Sequence, residues 1–186
     1  MALRAGLSRM ATSSVSRRPS SLSLRIRIGQ LKWVREGANA FGRQCIVLST
    51  QVKHMGVRGG LPSGYEVFID GARLATGLDA LDWVRRGEEL GAGEIVVNSI
   101  DRDGTASGYD LDITRAVADA VNVPIIASGG AGTIEHIADG LTAGGAHAAI
   151  ISSILYSPRF DRNLGVRELK DGLTARGVPM RPYLEP

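Results

Sequence analysis

Glu94-Ile-Val-Val-Asn-Ser-Ile-Asp-Arg-Asp-Gly-Thr-Ala-Ser-Gly108 and Pro124-Ile-Ile-Ala-Ser-Gly-Gly-Ala-Gly132 are the two stretches on which the fold turns. Each opens with a short apolar run and passes into a loop of glycine and small polar residues. A helical stretch follows each loop. Residues 110–120 begin with Asp110 and residues 133–143 begin with Thr133, both good helix N-caps. A short apolar run, a glycine-bearing loop and then a helix is the signature of a buried parallel strand with its crossover.

The same unit recurs on either side. Upstream, Leu31 to Phe41 reads as a helix closed by Gly42, and Gln44-Cys-Ile-Val-Leu-Ser-Thr50 reads as a buried strand. Residues 79–90 form a helix with Leu81, Val84 and Leu90 near one face and Arg85, Arg86, Glu88 and Glu89 outside. Downstream, residues 146–152 are a fourth strand and residues 166–176 a last helix. Residues 53–77 interrupt the pattern. They are rich in glycine, Tyr65 to Ile69 alternates, and Asp70-Gly71 is a hairpin signal, so an antiparallel hairpin is expected to project from the end of the first strand. Four strand–helix units predict an α/β protein with a parallel sheet. The fold expected is half of a (βα)8 barrel, since a whole one takes about 250 residues and the chain has 186.

Composition narrows the function. The formal charge of +3 is uneven. Residues 1–35 hold eight basic side chains and no acid, and the remainder holds 14 basic and 19 acidic groups. The body is therefore mildly acidic, which argues against a nucleic-acid-binding face. No apolar run reaches the length of a membrane span. Residues 1–30 are an Arg- and Ser-rich leader, either a transit peptide or a segment foreign to the fold, and residues 31–186 make the half-barrel with its hairpin at 53–77. The expected location is the cytoplasm, or an organelle if the leader is a transit peptide. Cys45, the single cysteine, sits in an apolar run and is expected in the core. His54, His136 and His147 lack metal-ligand spacing, so neither a metal nor another cofactor is implied. Trp33 and Trp83 lie on helical runs and are expected to pack.

In parallel α/β folds the chemistry sits at the carboxyl ends of the strands. After the strand at 94–99 come Asp101 and Asp103. Their spacing alone fits the organisation of a glycine-containing turn, and a buried carboxylate there could also serve as acid or base. After the strand at 124–128 comes Ser128-Gly129-Gly130, where main-chain N–H groups and a helix N-terminus suit a phosphate. Ser152 and Ser153 follow the fourth strand and complete the cradle. After the first strand stands Gln51, which cannot lend and recover a proton. Lys53 could contact an anion.

The stretches 94–110 and 124–132, together with 41–48 and 166–170, resemble the cyclase subunit of imidazole glycerol phosphate synthase over about residues 30–182. The resemblance implies the carboxyl-terminal half of a (βα)8 barrel that takes ammonia from a glutaminase partner. It implies closure of an imidazole ring on a ribotide bearing two phosphates, with release of aminoimidazole carboxamide ribotide. By position, Asp103, Gly104 and Asn98 lie at the substrate. Ser128, Gly129, Gly130, Ser152 and Ser153 hold one phosphate, and Glu94 belongs to an ammonia gate at the barrel's opposite end. The family uses two catalytic aspartates. One lies in the half that this chain does not match, and the other falls at Gln51, leaving Asp103 as the acid–base candidate. Two other readings stand beside this one. A similar branch relays ammonia for sugar amination in surface polysaccharide synthesis, as the long hairpin and Asn98 suggest. Alternatively, two copies close through their open edges into a phosphate-binding dimer without turnover.

Overall fold

The computed structural model describes residues 21–57, 60–157 and 164–182. Residues 1–20 of the expected leader lie outside them. The element order is α1 (Ser21–Phe41), a 3-10 turn (Arg43–Cys45), β1 (Val47–His54), β2 (Tyr65–Ile69), β3 (Leu74–Asp79), α2 (Ala80–Glu89), β4 (Glu94–Ser99), α3 (Leu111–Ala120), β5 (Ile125–Ser128), α4 (Ile134–Leu141), β6 (Ala148–Ala149), α5 (Ser153–Tyr156) and α6 (Val166–Thr174).

One six-stranded sheet runs in the order β3-β2-β1-β4-β5-β6. β1, β4, β5 and β6 are parallel, giving the four βα units expected of half a barrel. Strand alternation sorts the side chains. Val52, Ile95, Val97 and Ile125 lie in one buried cluster with Trp83 and Val84 of α2 and Ile113 and Val117 of α3. Ala127 joins a second cluster with Ile137 of α4 and Leu169 and Leu173 of α6. Each large aliphatic side chain so buried contributes about 1.5–3 kcal/mol. The opposite face, the inside of a barrel, carries Ser49, Gln51, Asn98 and Ser128. Gln51 pairs with Asn98, and Asn98 with Ser128, so these three stand in one row across the sheet.

Several local expectations change. The first helix starts at Ser21 rather than Leu31. β1 begins at Val47 and runs on to His54, so Gln51 and Lys53 are strand residues, not loop residues. The hairpin does not project. β2 folds back antiparallel on Gln51–His54, which shields part of the sheet edge. Its turn falls at Asp70-Gly71 but is shifted by one residue: the Arg73 N–H donates to the Asp70 carbonyl, so the central pair is Gly71 and Ala72, with φ of 62° and 67°, both positive as a type I′ turn requires. The fourth strand is two residues long, because β5 offers it partners only at Ile126 and Ala127. Cys45 is exposed, since the residues before β1 coil into a 3-10 turn. Trp33 is 69% exposed and Trp83 8%, so only the second packs.

Asp79 ends β3 and caps α2, its carboxylate accepting from the Leu81 and Asp82 N–H groups. The other carboxylate oxygen accepts from the Ser63 N–H at 2.8 Å and the Ser63 hydroxyl at 2.6 Å. One side chain thus starts the helix and ties down the loop before β2.

Candidate functional site

At the carboxyl ends of β4, β5 and β6 three loops close on one small cavity. It is lined by Asp103, Gly104 and Ala106 from the first loop, residues 128–131 from the second and residues 150–153 from the third. Its volume, about 60 Å³, suits a few water-sized groups. Glycine makes the convergence possible. Gly129 and Gly130 have φ of 88° and 109°, where a Cβ is strained. A Cβ on Gly130 would meet the Gly108 carbonyl oxygen at 2.2 Å, and one on Gly132 would meet the Ala106 oxygen at 2.3 Å. The Gly108 N–H donates to the Gly130 carbonyl at 2.8 Å. The first two loops are therefore held main chain to main chain.

The second loop leads into α4. Thr133 caps this helix as expected, accepting from the His136 N–H at 3.2 Å. His136 Nδ1 accepts from the Gly132 N–H at the same distance, which leaves its proton on Nε2. Among the described residues no lysine or arginine lines the cavity. An anion there would be held by N–H groups, the α4 terminus and the Ser152 and Ser153 hydroxyls.

The first loop is held by acids that do not face the cavity. Asp101 accepts from the His54 N–H at 2.8 Å and pins the top of β1. The Arg102 and Asp103 N–H groups both donate to the Ser99 carbonyl. Asp110 is 8% exposed and caps α3, accepting from the Ile113 N–H at 3.5 Å. It also accepts from the Tyr65 hydroxyl at 3.0 Å and the Ser99 hydroxyl at 3.0 Å. That carboxylate joins the hairpin, β4 and α3 beneath the site. The Tyr109 hydroxyl donates to the Ile150 carbonyl at 2.9 Å and links the first loop to the third.

Both phenols lie above their ordinary pKa of about 10. For Tyr65 the main cause is burial, followed by the Asp110 charge. For Tyr109 it is burial. A phenol whose folded pKa is raised contributes stability that is intact below the unfolded pKa and lost as pH climbs past it. Stability should therefore fall above about pH 10, and the fall should be shallower in Tyr65→Phe and Tyr109→Phe. Denaturant unfolding between pH 8 and 11 would test this; equal slopes in all three proteins would refute it.

Seven of the residues singled out from the sequence line the cavity: Asp103, Gly104, Ser128, Gly129, Gly130, Ser152 and Ser153. Asn98 lies beneath it, its Oδ1 3.1 Å from where a Gly129 Cβ would stand. Gln51 is two strands from Ser128, about 10 Å away, and lines a different cavity. Lys53 pairs with Glu66 of β2 and is not part of the lining. Glu94 opens β4 at the other end of the sheet. The sequence reading missed Ala106, Ala131, Ile150 and Ile151. They have no chemical signature of their own and line the space through position alone. Among the described residues no cluster of His, Cys, Asp or Glu could hold a metal ion, and no helix is long and apolar enough to cross a membrane.

A family model described as histidine biosynthesis protein matches residues 4–161. The chain belongs to that family. It is 52% identical over 145 residues to the imidazole glycerol phosphate synthase subunit HisF of Solidesulfovibrio magneticus, covering 78% of this chain and 54% of that protein. It is 48% identical over 148 residues to the same subunit of Desulforapulum autotrophicum, covering 80% and 56%. The match to that of Desulfatibacillum aliphaticivorans is 45% over 154 residues, covering 83% and 58%. The chain thus spans little more than half the length of these curated relatives. The family match takes in residues 4–30, the stretch set apart above as a leader. The parallel-rich α/β sheet is part of the (βα)8 barrel fold of this family.

Proposed function

We propose that the chain supplies one half of the cyclase site of an imidazole glycerol phosphate synthase and grips one phosphate of a phosphorylated ribonucleotide. The reading rests on one observation: residues 103–106, 128–131 and 150–153 converge on a single cavity at the ends of three adjacent parallel strands. Gly129, Gly130, Ser128, Ser152 and Ser153 bind the phosphate, with Asn98 and Gly104 against the rest of the ribotide. The α4 N-terminus supplies charge complementarity. Asp103 at the rim is the group that can exchange a proton. Ammonia is delivered by a glutaminase subunit docked at the opposite end, where Glu94 stands. The reading is of a soluble biosynthetic protein of the cytoplasm.

Gln51 limits the chemistry. An amide does not titrate, so a proton transfer made there by a carboxylate is lost, a loss of about 10²- to 10⁴-fold. The chain should bind inorganic phosphate and aminoimidazole carboxamide ribotide in a calorimetric titration. Its ammonia-dependent turnover of the ring-closing substrate should lie at least about 10²-fold below that of a whole relative. Failure to bind either compound would overturn the reading.

A further inference from the structure

One imidazole backs the two loops that shape the strand-end cavity. His136 is the third residue of α4, three positions after the cap Thr133. Its main-chain N–H donates to the Thr133 hydroxyl at 3.2 Å, and its Nδ1 accepts from the Gly132 N–H at 3.2 Å. This reciprocal pair resembles a capping box, in which a Ser or Thr cap and a Glu or Gln three residues on satisfy one another's orphan donors. Here a ring nitrogen replaces the side-chain oxygen and reaches one residue further back, to Gly132.

The place of Gly132 gives that bond its consequence. Residues 128–131 of this loop line the cavity, and the lining stops short of Gly132. One end of the loop is fixed in the sheet, where Ser128 pairs with Asn98. At the other end the Gly132 N–H is committed to the ring, which does not line the cavity. The same ring lies against the first loop. A Cβ on Gly108 would stand 3.3 Å from His136 Cδ2, and Gly108 is the residue whose N–H donates to the Gly130 carbonyl. His136 is thus wedged where the two loops meet, behind the groups that would face an anion.

An imidazole differs in one respect from the oxygen of an ordinary capping box. It changes charge between about pH 8 and pH 5, and an imidazolium is a donor at both nitrogens. Nδ1 would then meet the Gly132 N–H as donor against donor, and the bond would be lost. The ring is half-buried and borders a space of about 400 Å³ from which a proton can reach it. Arg102 of the first loop, Asp110 and Asp112 at the start of α3, and Asp139 of α4 border the same space. Glu135, beside His136, pairs with Arg176 beyond α6. A second proton on the ring therefore falls among three carboxylates and a guanidinium, in a space with no wall residue in common with the anion cavity. The lost hydrogen bond, not the added charge, sets the sign of the effect.

We propose that His136 is a positioning residue for the anion cavity. Its unprotonated Nδ1 holds Gly132 and so keeps the main chain of residues 128–131 in place around the anion. The grip loosens when the ring takes up a second proton. The effect on binding rests on the phosphate reading of the cavity; the tie between ring and loop does not.

Two measurements on the full chain test this. In the first, without any anion, the Gly132 amide resonance is followed by NMR beside the His136 ring signals from about pH 8 to pH 5. It should move along the ring's own titration curve in the unaltered chain. It should stay still in His136→Asn, whose side-chain oxygen can take the place of Nδ1 and does not titrate. A Gly132 amide indifferent to the ring would overturn the proposal. In the second, sulfate is titrated by calorimetry, because its charge is constant over that range. The affinity of the unaltered chain should fall about fivefold across the range, the worth of one hydrogen bond. His136→Leu should bind weakly throughout, and His136→Asn should regain the lost affinity and hold it at every pH. The same pH course in the unaltered chain and His136→Asn, or tighter binding at the acid end, would overturn the proposal. No sulfate binding even at the alkaline end would count against the phosphate reading instead, and the Gly132 amide would still decide the tie.

Discussion

Gly130→Ala will abolish phosphate binding and cost the fold about 4 kcal/mol, near the top of the range for single substitutions. Two independent penalties meet at this residue. Its φ of 109° belongs to glycine, and a side chain held there costs about 1–3 kcal/mol. The new Cβ would also stand 2.2 Å from the Gly108 oxygen and 3.0 Å from Arg102 Cβ. The first contact is with main chain, which cannot rotate away. Relief requires the loops to part, and that breaks the Gly108-to-Gly130 hydrogen bond closing the cavity. Gly104→Ala is the control. Gly104 also has positive φ, at 73°, but a Cβ there meets nothing within 4 Å, so the loss should be only about 1 kcal/mol. Urea unfolding and a phosphate titration on both variants would decide. Equal losses would show that close approach of the two loops is not what Gly130 provides.

Asp110→Ala should be comparably damaging, by about 4 kcal/mol, although this side chain does not line the cavity. Hydrogen bonds to a charged group are worth about 1.5–3 kcal/mol each. Asp110 receives one from Tyr65, one from Ser99 and one from the first turn of α3. Truncation leaves the Tyr65 and Ser99 hydroxyls buried without this acceptor and removes a helix cap, itself worth about 1 kcal/mol. Asp110→Asn keeps an acceptor for the tyrosine and loses its charge, so it should cost roughly half as much. Because Asp110 joins the hairpin to β4 and α3, the alanine variant should also expose β2 and β3 to hydrogen exchange well before β4 and β5. A uniform loss of protection across the sheet would show that the hairpin is not separately anchored.

Much of the candidate site was legible before any coordinates. A strand end followed by Ser128-Gly129-Gly130 and a capped helix can hardly be placed otherwise, because only glycine suits the φ values that let a loop turn so tightly above a strand. Ser152 and Ser153 follow by the same reasoning from the neighbouring strand end, whereas Asp103 and Gly104 come to the substrate only through the family resemblance. The misses have a common cause. Gln51 and Lys53 read locally as the loop beyond the first strand, because local pattern does not foresee that β2 folds back and extends β1 to His54. The local runs point Cys45 to the core and Trp33 to packing. The 3-10 turn and the outer face of α1 put them in solvent instead.

The alternation of apolar strand and capped helix was local information, carried by residues a few positions apart, and it settled the four units, their parallel sense and the glycine loops at their ends. Partnership across the sheet was not local. That Asp110 binds Tyr65 and that Gly130 touches Gly108 depend on strand order and register. Those are set by which buried faces meet once the sheet has formed, and no spacing along the chain encodes them.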